Sequence, residues 1–249
     1  MSINNIRGHV LRALAVERAD TRFGESYFVS RMAAELHCSA RQVMETLWAL
    51  VGDGLVYLDT AGQGSGTDNW WWHLSSTGIS AARGGSWEPR DVEGYLQRLR
   101  AYRPMVDSVA IRYVEEALRA FNARCYMASS VMLGVASERV VDDLGHALAD
   151  RLGTKAAKLS KLLSSPTSRT AAQFDEMRKL LVQLDFPDGL TDTLTLDAVA
   201  DLLRISRNNA GHPTGAAVDE DTAHTHLQMA ARYLQKMTSL KAHLVTAPG

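Results

Sequence analysis

Apolar residues recur every three or four positions along most of this chain, and the places where they do not divide it. Ile3, Ile6, Val10 and Leu14 stand at helical spacing, so the chain opens on an amphipathic helix. Gly24 breaks it, and Tyr27-Phe28-Val29 reads as a short extended piece. Ser30 is placed to cap a helix over 31–36, and His37-Cys38 makes a tight turn. Ser39-Ala40-Arg41-Gln42 has the form of a capping box. It opens a helix whose inward stripe is Val43, Leu47, Leu50 and Val51, ended by Gly52-Asp53-Gly54. Leu55-Val56-Tyr57-Leu58 and 70–74 read as paired strands joined by a Gly-rich stretch, and Ser75-Ser76-Thr77-Gly78 caps a short helix. Strand alternation buries one or two of Trp70, Trp71 and Trp72 and leaves the rest to solvent or a partner.

Two glycines and a proline between Arg83 and Pro89 interrupt all periodicity. Asp91 is placed to cap a linking helix carrying Tyr95, Leu96 and Leu99. Beyond Pro104 no strand-like alternation of any length occurs. The spacing predicts helices over 106–121 and 126–148, the second turning Met127, Val131, Met132, Val135 and Val140 toward a core, with Cys125 on the same stripe. A basic helix runs from Gly153-Thr154 to a stop at Ser164-Ser165-Pro166. Another covers 171–184, with Phe174, Met177, Leu181 and Leu184 inward. A turn-rich stretch leads to a helix over 196–209. Asp219-Glu220-Asp221 then places negative charge at the start of a last long helix, where it suits the dipole. The chain is mainly α.

Composition narrows the classes. At 249 residues the chain can form one large domain or two ordinary ones, and 46% hydrophobic with 22% charged residues is the balance of a soluble globular protein. No apolar run nears the ~18 residues of a membrane span, and no signal-peptide succession opens the chain, so the expectation is cytoplasmic, without membrane contact. Cys38 and Cys125 have neither disulfide nor metal-ligand spacing, and His224 and His226, two apart on a helix, point in different directions. No metal and no cofactor is expected. The net charge of -1 means that any nucleic-acid contact rests on local patches.

The most distinctive string is Arg207-Asn208-Asn209-Ala210-Gly211-His212-Pro213, at the end of the 196–209 segment. Arg forks a phosphate with charge-assisted hydrogen bonds, and His moves protons near neutral pH. In an all-α context this string resembles the Arg-x4–6-His signature of HEPN domains, helical modules found among bacterial toxin, abortive-infection and CRISPR-associated ribonucleases. The apolar run 128–137 followed by Glu138 is similar to the segment preceding that motif. The resemblance covers roughly 104–245 and implies a bundle of HEPN type.

It also implies metal-independent cleavage of RNA, leaving a 2′,3′-cyclic phosphate and a 5′-hydroxyl. His212 would be the general base or acid and Arg207 would stabilise charge on the phosphorane. Asn208 would orient the phosphate or the imidazole, and Glu138 would hold Arg207 or His212. Because such sites are composite, a homodimer is implied. Two other readings stay open: Arg207 and His212 also suit a helix C-terminus as capping cations, and some bundles of this kind only bind RNA or dimerise. Gly211 directly before His212 departs from a helical residue and would set the imidazole on a turn.

Residues 1–83 resemble a winged-helix domain, with 40–51 as recognition helix and the wing tip at 62–68, and 84–103 form a linker and connecting helix to the bundle at 104–249. On that reading Arg41 and Gln42 would read base edges in a DNA major groove. Against it, residues 1–90 carry no Lys, and eight Arg face nine Asp or Glu. Lys155, Lys158 and Lys161 recur every third residue and form either a solvated helix face or an RNA-binding track. The resulting expectation is an endoribonuclease of toxin or phage-defence kind, partnered by RNA, a second copy and a defence-complex or antitoxin protein. The alternative is a DNA-binding transcriptional regulator or adaptor that uses a non-catalytic bundle.

Overall fold

Helical periodicity is realised through most of the chain. The structure, a computed structural model, describes residues 3–16, 20–23, 25–61, 67–83, 87–165, 167, 170–187, 190 and 217–246. They fall in two compact units, Met1–Tyr95 and Leu96–Gly249. The protein is mainly helical, with one two-stranded sheet among the described residues.

In the first unit, α1 (Ile3–Leu14), α2 (Ser30–Glu35) and α3 (Ala40–Gly52) precede an antiparallel hairpin of β1 (Val56–Asp59) and β2 (Trp71–Leu74), and α4 (Ser76–Ala82) follows. The register pairs Val56 with Leu74 and Leu58 with Trp72. Helix α3 starts at the expected capping box: Gln42 N donates to Ser39 Oγ at 3.2 Å, and Ser39 N donates back to Gln42 Oε1 at 3.0 Å. Gly54 at φ 71 turns the chain out of α3 into Leu55, a conformation that suits glycine. Ser75 caps α4 by accepting from Gly78 N at 3.0 Å. Ile6, Val10, Phe28, Leu47, Leu50 and Trp72 are buried together as the core, each contributing on the order of 1.5–3 kcal/mol by leaving water. Of the three tryptophans Trp72 alone is fully buried.

Two local expectations fail here. Tyr27-Phe28-Val29 is not a strand: it lies in a helical segment, Glu25–Val29, interrupted by a kink at Tyr27. Phe28, Val29 and Met32 are all buried, and a strand would send Phe28 and Val29 to opposite faces. Ser30 is therefore the first residue of α2 and not its N-cap: that position is Val29, already right-handed helical and without a side-chain cap bond. The described part of the loop between the strands includes a 3₁₀ turn, Thr67–Asn69, and 62–66 of the expected wing tip lie outside the described residues, as does the 84–86 boundary.

Arg7 fastens α1 within this unit, donating to Asp53 at 2.7 Å and to Asp91 at 3.2 Å. Asp91 also caps α5 (Val92–Ala101) through Gly94 N at 3.1 Å, as its position foretold.

The second unit is built on α6 (Ser108–Asn122), α7 (Tyr126–Leu152) and α10 (Glu220–Thr246), with α8 (Ala157–Leu163) and α9 (Thr170–Leu181) against α7. Phe174, Met177 and Leu181 point inward from α9 as expected, and Leu184 is half-buried. The basic segment begins as a 3₁₀ turn, Gly153–Ala156, before α8. Left-handed residues close two helices without glycine. His37 (φ 49) and Arg124 (φ 61) let Cys38 N and Cys125 N reach back to Ala33 O and Ala120 O at 3.0 and 2.8 Å.

Candidate functional site

Helix α7 carries the first of the expected catalytic residues, and its buried face differs from the one the apolar spacing suggested. Ser129, Ser130, Leu133, Ala136, Ser137, Val140 and Leu144 are buried. Met127 is exposed, Val131, Met132 and Val135 are half-buried, and of the expected stripe only Val140 is fully inside. Cys125 is exposed at the helix start rather than in the core. Small side chains let a central helix approach α6 and α10 closely, which larger ones would prevent. Glu138 is half-buried on α7, next to Ser137.

Burying hydroxyls requires partners. Ser137 and Tyr233 of α10 share a short hydrogen bond, and Ser137 also donates to Leu133 O at 2.7 Å. Ser130 Oγ is buried with no partner among the described residues. Tyr126 at the start of α7 donates to Glu220 Oε2 at the start of α10 at 2.7 Å. These cross-helix partners carry no local sequence signature, since Ser137 and Tyr233 lie 96 positions apart.

Arg207, Asn208 and His212, with the 196–209 helix, lie outside the described residues. The chain resumes at 217, where Asp219 accepts from Thr222 N at 2.8 Å and caps α10. Hydrogen bonds from Thr222 hold the Asp219 carboxyl below its ordinary range. One turn on, the His224 ring lies 5.9 Å from that of Phe121. His226 is half-buried, and burial holds its imidazole below the ordinary value. No group of three metal-ligating side chains occurs among the described residues.

The lysines are all exposed, but not equivalent. Lys155 is on the 3₁₀ turn, while Lys158 and Lys161 are on α8. Lys158 is paired with Glu176 of α9 at 2.6 Å, and Lys155 and Lys161 have no ion-pair partner among the described residues. Lys158 and Lys179 together hold the Glu176 carboxyl below its ordinary range, the hydrogen bond from Lys158 acting most strongly.

In the first unit Arg41 is exposed on α3 and paired with Glu45 at 2.8 Å. Gln42 is half-exposed, its amide oxygen occupied by the capping box. Both side chains expected to read bases thus have local partners. Their helix face continues through Met44 to Trp48, 50% exposed and edge-on to Trp72.

Among the described residues no helix is long and apolar enough to cross a membrane. No family model matches this chain, and no curated protein or solved structure does either.

Proposed function

We propose that the helical unit is a metal-independent endoribonuclease of HEPN type, acting as a homodimer. The single observation that carries this reading is the string Arg207-Asn208-x-x-x-His212 in a chain whose second half is helical. The reaction needs no external nucleophile. The ribose 2′-oxygen bonds to the adjacent phosphorus as its proton passes to a base, and the 5′-oxygen leaves with a proton from an acid. One imidazole serves one of those proton transfers, so His212 from two copies completes the pair. Arg207 neutralises the charge that grows on the non-bridging oxygens. Asn208 and Glu138 are proposed to orient the phosphate and the catalytic side chains.

The first unit is proposed as a winged-helix-like targeting or regulatory module, supported by its order of helices, hairpin and closing helix. The Arg41–Glu45 pair and the Gln42 cap favour regulation over direct base reading. A role as a toxin or phage-defence effector in the cytoplasm follows from the ribonuclease reading.

The test is cleavage of a mixed panel of tRNA and unstructured RNA in EDTA, comparing wild type with His212→Ala and Arg207→Ala. Wild-type cleavage with cyclic phosphate ends, lost in both variants, is the expected result. Full activity in either variant would overturn it.

A further inference from the structure

Beyond the RNA chemistry, the helical unit carries a groove of about 880 Å³ lined by α6, α10, part of α7 and the segment before α6. That is within the size range of small-molecule sites. Its apolar lining includes Met105 and Val245, 70% and 69% exposed, with Ile111 and Ala242 beside them.

The charges around it cancel in fixed pairs. Asp107 and Asp143 both meet Arg139, at 3.2 and 3.1 Å, and Asp143 also takes Lys241 at 2.8 Å. Glu115 takes Arg100 at 3.3 Å and Arg119 at 2.5 Å. Arg112 is left over. It is exposed, lines the groove, and has no ion-pair partner among the described residues. Glu116, one turn on, does not line the groove, and Arg before an acidic residue at that spacing is the weaker order for a helical pair. A guanidinium beside exposed apolar surface matches a monoanion with an apolar body, with the planar fork suited to a carboxylate.

We infer that this groove binds a medium-chain carboxylate, its head on Arg112 and its chain over Met105, Ile111 and Val245. The other cations of the lining, Arg100 and Lys241, already serve Glu115 and Asp143, so one anionic head is matched. The inference does not depend on the ribonuclease reading.

The probe is decanoate below its micelle concentration, titrated into the full-length protein by calorimetry and by NMR of ¹³C-methyl-labelled methionine. Butyrate and decylammonium serve as comparisons. Saturable binding of one decanoate per chain, moving the Met105 and Met237 methyls, is the expected result, with neither comparison ligand binding. Arg112→Ala should weaken binding at least about tenfold, the scale of one charge-assisted hydrogen bond. Arg232→Ala, elsewhere on the exposed face of α10, should leave it unchanged. Met105→Glu, at an exposed position that tolerates a polar side chain, should set a charge against the alkyl chain and abolish binding. Equal affinity in Arg112→Ala, decylammonium binding as well as decanoate, or methyl shifts away from the groove would each overturn the assignment. So would loss of the decanoate signal on self-association, which would give the groove to a second copy of the chain.

Discussion

Asp107 and Arg139 meet at 3.2 Å while Asp107 also caps α6, its Oδ1 accepting the backbone amides of Val109 and Ala110 at 3.0 and 3.1 Å. One carboxylate thus starts a helix and ties it to α7. Burial opposes its charge, but the hydrogen bonds from Arg139 and Ala110 and the Arg139 charge outweigh it, so its acid range is depressed. The same contact raises the Arg139 guanidinium further above its ordinary value.

Removing the cap with Asp107→Ala should cost about 1–2 kcal/mol of unfolding free energy at neutral pH. Asp107→Asn keeps a capping oxygen and should cost less, about 0.5 kcal/mol, from the lost ion pair. The sign with pH follows from the depressed value. The charged form's contribution is complete above the ordinary carboxylate pKa of 3.8 and disappears as pH falls through the lower, folded value. Urea unfolding of wild type and Asp107→Asn should therefore converge in acid. A gap that widens there would refute the role given to the charge.

Two helical glycines should respond to alanine with opposite signs. A Cβ on Gly78 would fall 1.8 Å from the carbonyl oxygen of Leu55, whereas one on Gly8 in α1 meets nothing within 4 Å. Gly78→Ala should destabilise the first unit by about 1–3 kcal/mol through forced backbone movement. Gly8→Ala should stabilise it by up to about 1 kcal/mol through helix propensity. Melting temperatures of the two variants decide this, and a shift of the same sign in both would refute it.

If RNA runs along the basic segment, Lys155 and Lys161, without ion-pair partners among the described residues, should matter more than the paired Lys158. Binding of labelled single-stranded RNA to His212→Ala protein, followed by anisotropy over a salt series, reads the number of phosphate contacts. Lys155→Ala and Lys161→Ala should each reduce the salt slope by roughly 0.7. Lys158→Ala should change it less, because its ammonium already serves Glu176. Unchanged slopes in the first two variants would leave the segment as a solvated face.

Much of the local structure was legible from short-range chemistry. The capping residues Ser39, Ser75 and Asp91 are each tied to an amide three positions ahead, a relation contained in a few residues, and Asp219, expected there only for its charge, makes the same bond. The turn at His37-Cys38 was legible, but the closure at Arg124 was not, because a left-handed residue is expected to be glycine, and here the hydrogen bond from Cys125 to Ala120 holds another side chain in that conformation. The groove at Arg112 was invisible for a different reason. An arginine on a helix looks like any solvated charge until its neighbours are seen to be paired with one another.

The sequence by itself determined several helix starts through their capping residues, that the protein is mainly helical, and that one or two of the three tryptophans would be buried. It also presented the Arg207–His212 string as candidate chemistry. Only the tertiary structure decided which face of α7 is inside, which lysine is neutralised and which charge is left over. Helical spacing sets the period of a stripe but not its phase when a helix is apolar or small on several sides. Around α7 the choice fell to the neighbours: with α6 and α10 packed against it, Ser129, Ala136 and Ser137 are buried, while Met127 is left at the exposed surface.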